Sequence, residues 1–90
     1  MKTYTWNEEK NQQLKTGRNI SFEEVLIHIA TSDLLDVIEH PHPEKSTGQR
    51  IFVVKMHDYV WLVPFVESEN KIFLKTIIPS RKATKRYLGR

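Results

Sequence analysis

Apolar and polar positions alternate with period two over Thr3-Tyr4-Thr5-Trp6, which predicts a short strand with Tyr4 and Trp6 on one face. Asn7 then reads as an N-cap, with Glu8 and Glu9 in the first turn, where the helix dipole favours negative charge. The first helix is expected from Glu8 to Lys15, with Gly17 ending it. Leu14 is its lone apolar residue, so Trp6 is expected to add the neighbouring core contact. Ser21 and Glu24 form the S-x-x-E capping box of a second helix. Phe22, Val25, Leu26 and Ile29 recur at helical spacing and predict its buried stripe.

Leu34 to Glu39 reads as a strand, with an extension of the helix as the other option. Two prolines and a glycine make His40 to Gly48 a loop. The second half is β-rich. Arg50 to His57 predicts a strand, Asp58-Tyr59 a tight turn, and Val60 to Val66 a returning strand. Pro64 cannot donate to a sheet ladder, which predicts an edge position or a bulge. After a turn at residues 67–70, Lys71 to Ile78 reads as the last strand and Arg81 to Leu88 as a short helix behind Pro79-Ser80. Helices and strands segregated in this order predict one α+β domain over residues 1–90, with two N-terminal helices packed on an antiparallel sheet of three or four strands.

Length and composition fit that picture. Ninety residues support one modest core, and 39% hydrophobic with 28% charged residues is ordinary for a folded chain. The absence of cysteine removes disulfides, thiolate catalysis and Cys-based zinc sites, and suits a reducing cytoplasm. No apolar run approaches membrane-spanning length, so no membrane partner is expected.

Charge changes the picture more. The net charge of +3 hides a polarised chain. Residues 71–90 hold seven basic side chains and no carboxylate, whereas residues 1–70 hold seven basic against eleven acidic ones. Such asymmetry points to a polyanion partner such as RNA. Arg81 and Lys82 also open a helix, the unfavourable end for a cation, at about 0.3–1 kcal/mol each when exposed. A local rule broken twice in one place marks a candidate site.

Other chemistry is thin. The His40-Pro41-His42 pair resembles metal-ligand spacing only loosely, and nothing in the sequence completes a site around it, His28 or His57. No metal or other cofactor is expected. No Ser/His/Asp constellation or glycine-rich phosphate loop is visible, which excludes the common hydrolase and nucleotide-binding patterns. Metal-free RNA cleavage, in contrast, needs a base for the 2′-hydroxyl, cations for the charge developing on phosphate, and an acid for the leaving 5′-oxygen. Arginine suits the middle task because its planar fork grips phosphate oxygens and stays charged. The candidates are Arg50, Arg81 and Lys82, with Tyr87 as acid or stacking platform, and Lys55, Lys75, Lys85 and Arg86 as RNA contacts. Taken singly, each cation is more often a solvated surface charge. Tyr87 reads equally well as packing on the sheet beside Ala83 and Leu88.

The stretches Y-T-W-N-E-E-K, S-F-E-E-V and above all I-I-P-S-R-K-A-T-K-R resemble the BrnT-type toxins of bacterial toxin–antitoxin pairs, within the RelE-like group of small ribonucleases. The resemblance implies the α+β fold described above, metal-independent mRNA cleavage with or without the ribosome, and neutralisation by a cognate antitoxin protein. The family's cationic site would fall on Arg50, Arg81 and Lys82, with Lys10 a weaker match and Tyr87 near the position of a tyrosine common in RelE-like enzymes. The chain departs from the family pattern at Thr16, Pro79 and Tyr87. The rival reading is a module without catalysis that binds nucleic acid or an antitoxin, including a toxin that has lost its activity.

Overall fold

In a computed structural model, residues 2–39 and 49–89 are described. The loop expected at 40–48, with its His40-Pro41-His42 pair, lies outside them, as does Arg90. The order is β1 (Thr3–Trp6), α1 (Glu8–Arg18), α2 (Phe22–Ala30), β2 (Leu34–Glu39), β3 (Gln49–Met56), β4 (Tyr59–Glu67), β5 (Lys71–Leu74), β6 (Ile78–Pro79) and α3 (Arg81–Leu88). This is an α+β chain with three helices and a mixed sheet. The path runs β1-β5-β4-β3-β2, and β6 pairs with β4 beyond the end of β5.

The sheet is larger than the three or four antiparallel strands expected. β1 pairs in parallel with β5, Thr3 opposite Lys71 through Trp6 opposite Leu74, which makes the sheet mixed. The expected last strand is also broken in two. Residues 75–77 leave the sheet between β5 and β6, and Ile77 drops fully buried into the core. That break accommodates Pro64. β4 lies in the middle of the sheet and pairs with β3 without interruption from Gln49–Val66 to Met56–Tyr59. It is therefore neither an edge strand nor bulged there. Pro64 accepts a hydrogen bond from the Lys75 N–H, so its missing donor faces the side where 75–77 have departed.

Cap geometry corrects two further boundaries. α1 runs through Gly17 to Arg18, and Asn19 ends it in the left-handed region at φ 54, its N–H donating to the Leu14 carbonyl. The β3–β4 turn is His57-Asp58, not Asp58-Tyr59, with φ of 56 and 60 at the two positions. Two left-handed residues give the turn whose twist suits a hairpin, and His and Asp tolerate that region better than most side chains.

Strand alternation sorts the side chains onto two faces. Phe52, Val54 and Met56 of β3 with Val63 and Phe65 of β4 join Leu14, Ile20, Phe22, Val25, Leu74 and Ile77 in one buried cluster. Trp6 stacks on Phe22 at 5.6 Å, and Phe52 on Phe65 at 3.9 Å. Asn11 is fully buried and ties the two N-terminal helices together. Its Nδ2 donates to Glu23 at 2.7 Å and its Oδ1 accepts from the Phe22 N–H at 2.8 Å. The Glu23 carboxyl is held below its ordinary value chiefly by that Asn11 bond. The opposite face carries Ile51 and Val53 of β3 and Val60 and Leu62 of β4, and here α3 packs, mainly on β4.

Candidate nucleic-acid interface

The feature that positions α3 is the end of its own motif. Ser80 caps the helix, its Oγ accepting from the Ala83 N–H, while its backbone N–H donates to the Val60 carbonyl. Thr84, one turn on, is buried. Its hydroxyl donates to the Ser80 carbonyl at 2.7 Å and accepts from the Val60 N–H at 2.9 Å. Ser80 and Thr84 thus bracket one residue of β4 and fix both the position and the rotation of the helix. Tyr87 adds a third tie, donating its phenol to Asp36 Oδ2 at 2.9 Å.

A β-bulge makes that last bond possible. Leu34 faces Val54 and Asp36 faces Val53, so Leu35 is the extra residue. In unbroken alternation Asp36 would share the face of Leu34; the bulge turns it to the α3 side. The Asp36 bond pushes the Tyr87 phenol above its ordinary value, with burial helping. Its hydroxyl proton is engaged by Asp36, and the bond ties the last turn of α3 to β2 as a latch.

With the helix so held, its cations fall in two rows at i, i+4 spacing: Arg81 with Lys85, and Lys82 with Arg86. All four are exposed. None makes an ion pair among the described residues, and no acidic residue occupies the first turn. Arg86 also lies over the Tyr87 ring, 5.7 Å from its centroid. Lys82, Arg86 and Tyr87 form one wall of a trough of about 330 Å³ whose floor is Ile38, Ile51, Val53 and Leu62.

The sequence-predicted residues divide between the two faces. Arg81, Lys82, Lys85, Arg86 and Tyr87 share α3. Lys55 and Lys75 belong to the same face of the sheet but to opposite ends. Lys55 lies opposite Val60, while Lys75 Nζ donates to Gln49 at 3.1 Å. Six residues of β3 separate those positions, roughly 20 Å. Arg50 is on the other face. It pairs with Glu67, as does Lys2, and its guanidinium lies 5.4 Å from the Phe65 ring centroid. Lys2 and then Arg50 hold the Glu67 carboxyl below its ordinary value. Lys10 sits on α1, which packs its Leu14 into that same face's core. Neither Arg50 nor Lys10 is brought to α3.

One group escaped the sequence reading. His57, in the hairpin turn, pairs through Nε2 with Glu24 of α2, and His28 Nδ1 meets Asp33 Oδ2 at 2.7 Å. Only the i, i+4 spacing of Glu24 and His28 hinted at it; the turn at His57 lies 33 residues away from Glu24. The hairpin end and the start of α3 are neighbours. Trp61 faces Pro79 in the β4–β6 register, and Ser80 bonds Val60, so Arg81 emerges beside the first residues of β4. Among the described residues no cluster of three or more His, Asp or Glu is arranged to hold a metal ion, and no helix is long and apolar enough to cross a membrane. No protein-family model, curated protein or solved structure matches the chain, so its function has to be argued from the residues themselves.

Proposed function

We propose that the chain is a RelE-like ribonuclease toxin, an enzyme that cleaves mRNA in the cytoplasm without a metal ion and is neutralised by a cognate antitoxin. The observation that carries the reading is the pinned basic helix. Among the described residues the four exposed cations on α3 have no carboxylate partner, whereas Lys2 and Arg50 share the Glu67 carboxylate. Pinning matters because a phosphate-binding group contributes most when its position costs no reorganisation.

In this mechanism Arg81 and Lys82 stabilise the charge on the attacked phosphate, and Lys85 and Arg86 hold the adjoining backbone. His57, oriented by Glu24, takes the proton from the 2′-hydroxyl; the 2′-oxygen bonds to phosphorus as the 5′-oxygen leaves and takes a proton from water. The products are a 2′,3′-cyclic phosphate and a 5′-hydroxyl end. Tyr87 keeps α3 in place, and Arg50, engaged with Glu67, takes no part.

The test is induction of the wild-type chain in bacteria beside Arg81→Ala and His57→Ala, following growth and mapping RNA 5′ ends. Growth arrest with new 5′ ends is expected for the wild type and for neither variant. The Arg81 variant should fold normally, because an exposed cation contributes little stability. Soluble expression without arrest or new ends would favour the binding module instead, and RNA retained by the purified wild-type chain in a salt-dependent manner would establish it.

A further inference from the structure

Among the described residues, three of the four non-glycine positions with left-handed backbone surround one cluster of side chains. Ser32, at φ 73, is in the turn between α2 and β2, and His57 and Asp58, at φ 56 and 60, make the β3–β4 hairpin turn. Backbone held in that region by residues with side chains stores strain, and such strain concentrates at working sites. The two turns deliver the outer members of one chain of contacts, Asp33–His28–Glu24–His57. The backbone around each is fixed. The Asp33 N–H donates to the His28 carbonyl at 2.9 Å, and the Asp33 carbonyl accepts from the Lys55 N–H at 2.9 Å. The Met56 carbonyl, one residue before His57, accepts from the Trp61 indole at 2.9 Å. Glu24 lies in the first turn of α2, its N–H held by Ser21 Oγ.

The contacts then assign the protons, because a carboxylate can only accept. Asp33 Oδ2, 2.7 Å from His28 Nδ1, takes the Nδ1–H, which leaves Nε2 of a neutral His28 without a proton. That Nε2 is 3.9 Å from Glu24 Oε2, too far for a hydrogen bond, and it has no proton to give. Glu24 Oε2 is thus kept for His57. It accepts the Nε2–H, and the lone pair of a neutral His57 is left on Nδ1. His57 is also the most exposed of the four side chains, at 48% against 26% for His28. The chain of contacts therefore ends on the imidazole that a substrate can reach.

We infer that Asp33 and His28 are positioning residues that set the tautomer of His57 through Glu24, so that the 2′-hydroxyl proton is taken at Nδ1. The inference rests on the ribonuclease reading for the reaction it serves. Nδ1 accepts that proton as the 2′-oxygen bonds to phosphorus, and the imidazolium so formed keeps its Nε2–H on Glu24. The departing 5′-oxygen takes a proton from water, and the hydroxide left behind takes the proton back from Nδ1. Without the Asp33 acceptor, His28 is free to carry its proton on Nε2 and to compete for Glu24. His57 would then sample both tautomers, and the fraction with its lone pair on Nδ1 would fall.

The test uses the full chain with nitrogen-labelled histidines. Long-range proton–nitrogen NMR spectra at mildly alkaline pH read the tautomer of each ring, and turnover of an RNA oligonucleotide is measured on the same samples. Expected in the wild type are His57 with its proton on Nε2 and His28 with its proton on Nδ1. Asp33→Ala should move the His57 nitrogen shifts toward the average of the two tautomers and lower kcat about tenfold, with KM changed by less than about twofold. Asp33→Glu, which restores a carboxylate, should recover both. His57→Asn should abolish turnover and keep the hairpin, because asparagine tolerates the left-handed region. A wild-type His57 protonated on Nδ1 would overturn the inference. So would an Asp33→Ala chain whose His57 tautomer is unchanged, even with slower turnover or lower stability, since that marks a purely structural tie between α2 and the hairpin. The tautomers are read without RNA, so a wild-type chain that shows them and cleaves nothing would sink the ribonuclease reading alone.

Discussion

The two faces of this sheet are built from the same strands and have opposite fates. Against α1 and α2, alternation delivers Phe52, Val54, Met56, Val63 and Phe65 into a closed cluster, and the buried polar group there, Asn11, has its partners. Against α3, the alternate residues of the same strands meet one short helix that is mostly polar and leaves Val66, Phe73 and Ile78 uncovered. The cations follow suit. On the closed side Lys2 and Arg50 are consumed by Glu67; on the open side Arg81, Lys82, Lys85 and Arg86 face solvent. A cation's place in the sequence therefore says less about its use than the face on which the strand period puts it.

Breaking the closed face should have the largest effect. Phe22 is fully buried and stacks on Trp6, so Phe22→Ala should cost about 3–5 kcal/mol of unfolding free energy. Phe73→Ala, on the open face, should change it by less than about 1 kcal/mol, because the ring is already 40% exposed. Urea titration of the two variants measures the contrast directly. Similar losses would mean that the open face contributes to the core after all.

An intermediate effect is expected where the open face is fastened. Thr84→Val keeps the shape of the side chain but leaves the buried Val60 N–H without its acceptor, a loss of roughly 1–3 kcal/mol. Because the same hydroxyl sets the rotation of α3, RNA binding should fall with it, and Thr84→Ser should restore both. If Thr84→Val bound RNA as the wild type does, the pin would not be what positions the cations.

Much of this was legible in the chain. The caps at Asn7 and Ser21 announce the first two helices, because each places a side-chain oxygen three residues ahead of an N–H that would otherwise lack a partner, and Ser80, read only as a break with Pro79, proves to cap α3 in the same way. The bounds of α3 match the expectation, and so does the face shared by Tyr4 and Trp6, both of which pack on the core. What periodicity could not reveal was anything decided between distant segments. The parallel β1–β5 pair, the departure of residues 75–77 that admits Pro64, and the bulge at Leu35 depend on tertiary partners. The candidate site divides along the same line. The α3 cluster is local and was read from the sequence, whereas the Arg50–Glu67 and His57–Glu24 pairs join residues 17 and 33 positions apart and were not.

The smallest predicted effect sharpens the comparison by pH. Glu67 has its carboxyl held below the ordinary value by Lys2 and Arg50, and a group depressed in the folded state binds protons less readily there than when unfolded. Its contribution to stability is thus fully present above the ordinary carboxylate range and is lost as pH falls through the depressed folded value. Glu23, bonded to Asn11, adds a slope of the same sign. Unfolding midpoints in urea measured from neutral pH down through that range should therefore fall for the wild type and fall less for Glu67→Gln. On the open face the Asp36 bond raises the Tyr87 phenol, which contributes stability that is fully present below the phenol's ordinary range and is lost as pH rises through the raised folded value. Tyr87→Phe should abolish that alkaline loss, while Glu67→Gln should make the acid limb shallower and leave the alkaline one unchanged. A Glu67→Gln variant that altered the alkaline limb would show that the two faces are electrostatically coupled through the sheet.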